Sequence, residues 1–84
     1  NKEKYMTQNI ISLNKAQKNK KLTVVLLEGA ENQIKNIRNL GVKEGEKIKI
    51  LNRGCFLPIK IARGCTRIGI CRQIAEGIMV TEDV

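Results

Sequence analysis

The chain has 84 residues, sixteen of them basic and eight acidic, for a formal net charge of +8. That length makes one domain with one small core, too little to wall off a deep catalytic cleft as well. There is no His and no Trp, and Tyr5 and Phe56 are the only aromatics, so the core must come from Ile, Leu and Val; the charge excess favours an anionic partner such as nucleic acid, an acidic protein face or an anionic membrane surface.

Residues 1–9 read as a tail outside the fold, either a cloning remnant or an unstructured native extension. Ile10, Ile11 and Leu13 form a short apolar patch. Residues 14–21 carry four lysines and two asparagines, the composition of an exposed loop. Residues 22–27 predict a strand, short and β-branched at Thr23, Val24 and Val25; apolar on both faces, it should be buried and central. Ala30, Ile34, Ile37 and Leu40 recur at helical spacing and predict a helix over residues 30–40. Glu31 in its first turn and Lys35 and Arg38 further along suit the helix dipole, Glu31 and Lys35 are an i, i+4 pair, and Gly41 is the stop.

Residues 47–50 and 59–61 alternate Lys with Ile, as antiparallel strands with isoleucines inward and lysines outward. Pro58 cannot donate to a ladder and belongs at a strand's beginning or edge. Gly64 ends that strand. Residues 67–70 make another, with Gly69 inside it as a mark of curvature or close approach. Residues 73–76 make one helical turn, stopped by Gly77, and residues 78–80 a last short strand before a polar tail. The order predicts a mainly β domain over residues 10–82: a small, five-stranded antiparallel barrel of the SH3-like kind, with one helix and one short helical turn.

Catalytic chemistry finds little to use. Acid–base and nucleophilic mechanisms usually need a His or a tuned carboxylate; there is no His, and Glu44 and Glu46 merely flank a turn glycine. No phosphate-binding loop, dinucleotide fingerprint or nucleophile elbow occurs. The expectation is a binding module and not an enzyme. Cys55, Cys65 and Cys71 are odd in number and read as free thiols. Soft thiolates are the chain's candidate metal ligands, Cys65 and Cys71 as the better pair because they flank a strand. Their separations exceed those of close zinc-binding pairs, and the competing reading makes them small buried hydrophobes. No apolar run approaches the ~20 residues of a membrane-spanning helix, and no apolar core of a signal peptide follows the first lysines. Lys47, Lys49 and Lys60 would line one outer face, with Arg53, Arg63, Arg67 and Arg72 near strand ends, a stripe able to follow a phosphate backbone. A basic SH3-like nucleic-acid-binding module is therefore the alternative, weakened by the shortage of aromatics for base stacking and by the use of outward lysines against edge-to-edge aggregation.

Four segments, in order, resemble the ferrous iron transport protein A (FeoA) family of bacterial iron uptake. They are Ile11-Ser12-Leu13 with Leu22-Thr23-Val24-Val25 after a basic turn; Asn39-Leu40-Gly41-Val42 followed by Glu44-Gly45-Glu46; Leu57-Pro58-Ile59-Lys60-Ile61; and Arg67-Ile68-Gly69-Ile70 with Ala75 and Ile78. The likeness runs from about residue 11 to residue 80. Leu57 departs from the acid that often precedes the proline, and Cys71 from the usual Gly or polar residue. The resemblance implies an SH3-like barrel and a cytoplasmic accessory or regulatory protein at the inner face of the membrane. Its implied partner is the cytoplasmic GTPase part of the membrane iron transporter FeoB, with Leu40, Gly41, Lys47, Lys49 and Lys60 as candidate contacts. Weak self-association is part of the same expectation. No cofactor is required on this reading, but related domains in iron-dependent repressors imply a transition metal ion, iron or zinc, as a candidate ligand.

Overall fold

Branched aliphatic residues at alternate positions draw the chain into one antiparallel sheet. The computed structural model describes residues 10–52 and 58–82. Within them lie β1 (Ile10–Ser12), β2 (Lys21–Leu27), β3 (Lys47–Asn52), β4 (Ile59–Arg63), β5 (Thr66–Ile70) and β6 (Ile78–Glu82). Neighbours follow the order β1-β6-β2-β3-β4-β5. A flat sheet of this width would span about 24 Å at ~4.8 Å per strand, yet inward residues of β2 through β6 share one cluster. The sheet is therefore curled on itself in the SH3-like manner expected from the sequence. Two details differ from that expectation. The described residues hold six strands instead of five, because the apolar patch at Ile10 pairs with β6 as an extra strand. The barrel is also not closed: β1 and β5 are the two ends of the sheet order.

β6 also runs further than expected. Thr81 and Glu82 continue its ladder with β2, opposite Thr23 and Leu22, and belong to no tail. The strand lies between β1 and β2, so both faces of its ladder are occupied.

Two bulges adjust the alternation. The β2–β6 register shifts between Val24 and Leu26, and the β3–β4 register shifts between Ile50 and Asn52. Each inserts one residue and bends its strand. As a result Leu22, Val24 and Leu27 are buried, while Leu26 is 46% exposed. The strand is central, as expected, but not apolar-buried on both faces.

The helix α1 (Glu31–Asn39) is shorter than the apolar stripe that predicts it. Ala30 is the N-cap with extended backbone, and Leu40 is the C-cap. Ile37 is buried and Ile34 packs partly against the core, while Leu40 is 48% exposed. The stop is a Schellman motif. The Gly41 N–H donates to the Arg38 carbonyl at 2.9 Å, and the Val42 N–H donates to that of Ile37 at 3.2 Å. Gly41 supplies the required left-handed backbone at φ 93°, and Ile37 and Val42 bury the accompanying apolar contact.

The basic loop after β1 is more anchored than its composition suggests. A 3-10 turn (Leu13–Lys15) buries Leu13, and Ala16 beyond it is fully buried. Ser12 Oγ accepts from the Asn14 N–H at 3.2 Å and donates to the Ala75 carbonyl at 3.4 Å. Asn14 Nδ2 donates to the Arg72 carbonyl at 3.0 Å. These bonds tie the loop to α2 (Arg72–Ala75), the predicted helical turn. Gly77 then lets two segments meet: the Glu28 N–H donates to its carbonyl at 2.7 Å, and a Cβ on Gly77 would collide with the Glu28 carbonyl oxygen.

Sixteen buried aliphatics form the core of the described residues. Tyr5 and Phe56 both fall outside those residues, so the described core contains no aromatic ring. Gly77→Ala is expected to lower the urea midpoint of unfolding, costing on the order of 1–3 kcal/mol by forcing β6 and Glu28 apart. Ile61→Ala, at a fully buried position, should cost about 2–5 kcal/mol in the same experiment.

Candidate functional site

The alternation that points isoleucines inward points cations outward. On β2 to β5 the outward positions include Lys21, Lys47, Lys49, Lys60 and Arg67. The register brings them together. Lys21 opposes Lys49, Lys49 opposes Ala62, and Ala62 opposes Arg67, making one row across four strands. Lys47 lies beside this row opposite Thr23, and its Nζ donates to Thr23 Oγ1 at 2.8 Å. Lys60 is opposite Gly69.

Small residues between long ones carve shallow grooves on this face. Lys21, Lys47, Lys49 and Arg67 wall a groove of about 710 Å³ in which Ala62 and Gly64 leave room. Lys60 and Arg67 border an adjoining one of about 440 Å³ with Leu51 and Gly69. The nearby carboxylates are engaged elsewhere. Glu46 meets Arg63 Nη1 at 3.3 Å, Glu44 meets Arg38 Nη2 at 2.9 Å, and Glu82 accepts from the Gln17 N–H at 3.1 Å. Glu44 and Glu46 thus face separate arginines and do not form a carboxylate pair.

The candidate contact residues divide into two groups. Lys47, Lys49 and Lys60 share the basic face. Leu40 and Gly41 lie at the end of α1, where a Cβ on Gly41 would sit 2.5 Å from the Arg63 guanidinium carbon. Arg63 is accordingly a partner of Glu46 beneath the helix cap and not part of the stripe. Arg72 belongs to α2, and Arg53 lies outside the described residues. Lys21 is the member that sequence reading placed in a loop. Its signal was the alternation Lys21-Leu22-Thr23-Val24, which extends the strand by one residue.

The thiols are not gathered. Cys65 occupies the two-residue turn between β4 and β5, after Gly64 at φ 60°, the pattern of a type II′ hairpin. Cys71 is the N-cap of α2, at the other end of β5. Both are exposed, which overturns the reading of them as buried hydrophobes. Six positions of extended chain separate them by roughly 20 Å, whereas one ion would hold both sulfurs at ~2.3 Å. Cys55 lies outside the described residues. Among the described residues no three His, Cys, Asp or Glu side chains are grouped to hold a metal ion. A thiol-reactive dye is expected to label Cys65 and Cys71 in the native protein without denaturant, and Cys65→Ser should shift stability by no more than ~0.5 kcal/mol.

Comparison with known proteins gives this geometry a family. The FeoA domain model matches residues 11–82. No protein of curated function matches the chain in sequence. An iron uptake regulatory protein, FeoA, known from a crystal structure, is 25% identical with a TM-score of 0.82, over 89% of this chain and 100% of that one. FeoA of Chlorobium tepidum is 21% identical with a TM-score of 0.80, over 88% of this chain and 71% of that one. A manganese-dependent transcriptional repressor shares the fold at 16% identity with a TM-score of 0.81, over 92% of this chain but 44% of its own. The family match reaches from β1 to the end of β6, and the chain belongs to the FeoA family of small domains related to ferrous iron transport.

Proposed function

We propose that the chain is an accessory protein of ferrous iron transport that acts without catalysis, by docking onto the cytoplasmic part of a FeoB-type membrane transporter. The observation that carries this reading is the family match over residues 11–82. Two features support it. No helix among the described residues is long and apolar enough to cross a membrane, which suits a protein that serves the transporter from outside its pore. The grooves described above are shallow surface features, suited to contact with a larger body and not to enclosing a substrate. Iron is the transporter's cargo on this reading, and the chain needs no bound metal to dock.

Leu40 is the apolar anchor of choice for that contact. It is 48% exposed, yet the Schellman cap beside it fixes its backbone. About half of the side chain is left for a partner to cover, so its burial there contributes about 1 kcal/mol, roughly half the value for a whole Leu. The purified cytoplasmic GTPase part of the transporter, immobilised without lipid, should retain this chain in at least one of its nucleotide-free and guanine-nucleotide-bound states. Leu40→Ser is expected to weaken retention about fivefold. No retention in either state sinks the proposal.

A further inference from the structure

We infer that the outer face of β2 to β5 is a binding surface for anionic phospholipid headgroups, which holds the protein against a membrane independently of any protein partner. Five cations meet on this face: Lys21, Lys47, Lys49, Lys60 and Arg67. Clusters of four to eight Lys or Arg beside a membrane attract anionic lipids, each residue contributing about fivefold in affinity. The face also resists its own charge. Lys21 and Lys49 are direct cross-strand partners, an arrangement that destabilises a sheet unless something negative screens it. Lys21, Lys49, Lys60 and Arg67 make no ion pair among the described residues, since Glu44, Glu46 and Glu82 are held by Arg38, Arg63 and the Gln17 amide.

The identity of the cations selects the partner. Four of the five are Lys. Lys is depleted from protein–protein interfaces, where Arg is enriched, and specific recognition of carboxylate or phosphate favours the planar fork of Arg. A lipid surface asks only for charge within reach of the headgroups, which flexible ammonium groups supply. Single-stranded nucleic acid asks for aromatic platforms as well. Among the described residues this face carries none.

Co-sedimentation with vesicles of phosphatidylcholine, with and without phosphatidylglycerol, tests the assignment. Binding is expected only when phosphatidylglycerol is present, and it should weaken as salt screens the surface. Lys49→Glu combined with Arg67→Glu should reduce affinity at least ~25-fold. Lys35→Glu combined with Lys43→Glu makes the same change in net charge on α1 and the following turn, and should retain most of the binding. Should the first double variant fail to fold, Lys60→Glu alone, at an exposed position, should still lose about fivefold or more. The proposal is overturned by absence of binding at low salt, or by equal losses in the two double variants. It is also overturned if duplex DNA displaces the protein from vesicles at matched phosphate concentration, which would make nucleic acid the occupant. Because the transporter retention experiment contains no lipid, failure here leaves the docking proposal standing, and the reverse holds as well.

Discussion

The whole molecule depends on strand register. Its described core is built from Ile, Val, Leu and Ala alone, and branched side chains have few rotamers with which to absorb an error. Among the described residues no aromatic ring is at hand to bridge a gap. A one-residue slip in β3 or β4 would turn its inward isoleucines outward and bring its lysines in. Register is set where the chain breaks its own alternation. The bulge at Val25 lets Val24 and Leu27 both reach the core, and the bulge at Leu51 lets Ile50 pair inward while Asn52 meets Lys60 on the outer side.

The charge distribution follows from the same constraint. Ile48 of β3 lies between Lys47 and Lys49, and Ile50 follows Lys49, so packing the core assembles the cations on the opposite side of the same strand. Apart from Glu82 at the end of β6, the acids among the described residues fall instead at turns and helix ends. There Glu44 and Glu46 connect Arg38 of α1 to the start of β3 and to Arg63 of β4. Exposed ion pairs of this kind contribute little to stability, but they remove two carboxylates from the neighbourhood of the lysines. The basic face is coherent because it is laid out on a sheet, whereas the helix end with Leu40 offers a different chemistry at a different place.

Much of this was legible in the sequence, and the limits of legibility have physical causes. The alternation at residues 47–50 and 59–61 shows which side of each strand meets the core, and Gly41 marks the end of the helix. Ile10–Ser12 is too short for any period to reveal it as a strand. Its identity comes from Thr81, Val80 and Met79, which lie far along the chain. The anchoring of the first loop has the same origin, since Ser12 bonds to Ala75 across 63 positions and Gln17 to Glu82 across 65. The separation of the cysteines, by contrast, was legible. Cys65 and Cys71 flank a strand that the sequence itself predicts, and an extended strand holds its two ends far apart. Lys21 was missed by one residue at a strand boundary, and with it the opposition to Lys49 that defines the basic row.

The position of β6 has a consequence for how the protein is made. As the chain leaves the ribosome, β2 through β5 can pair in sequence, each with a neighbour already present. β1 cannot, because its partner is the last strand of the described fold, and β2 has one unsatisfied ladder edge for the same reason. Leu22 and Val24 therefore stand beside an open edge throughout synthesis of the intervening residues, an arrangement that invites intermolecular pairing. Completion of the sheet is a single late event that joins both ends of the domain at once. During that interval the open edge belongs to β2, and Lys21 at its start is the one charged residue of that strand.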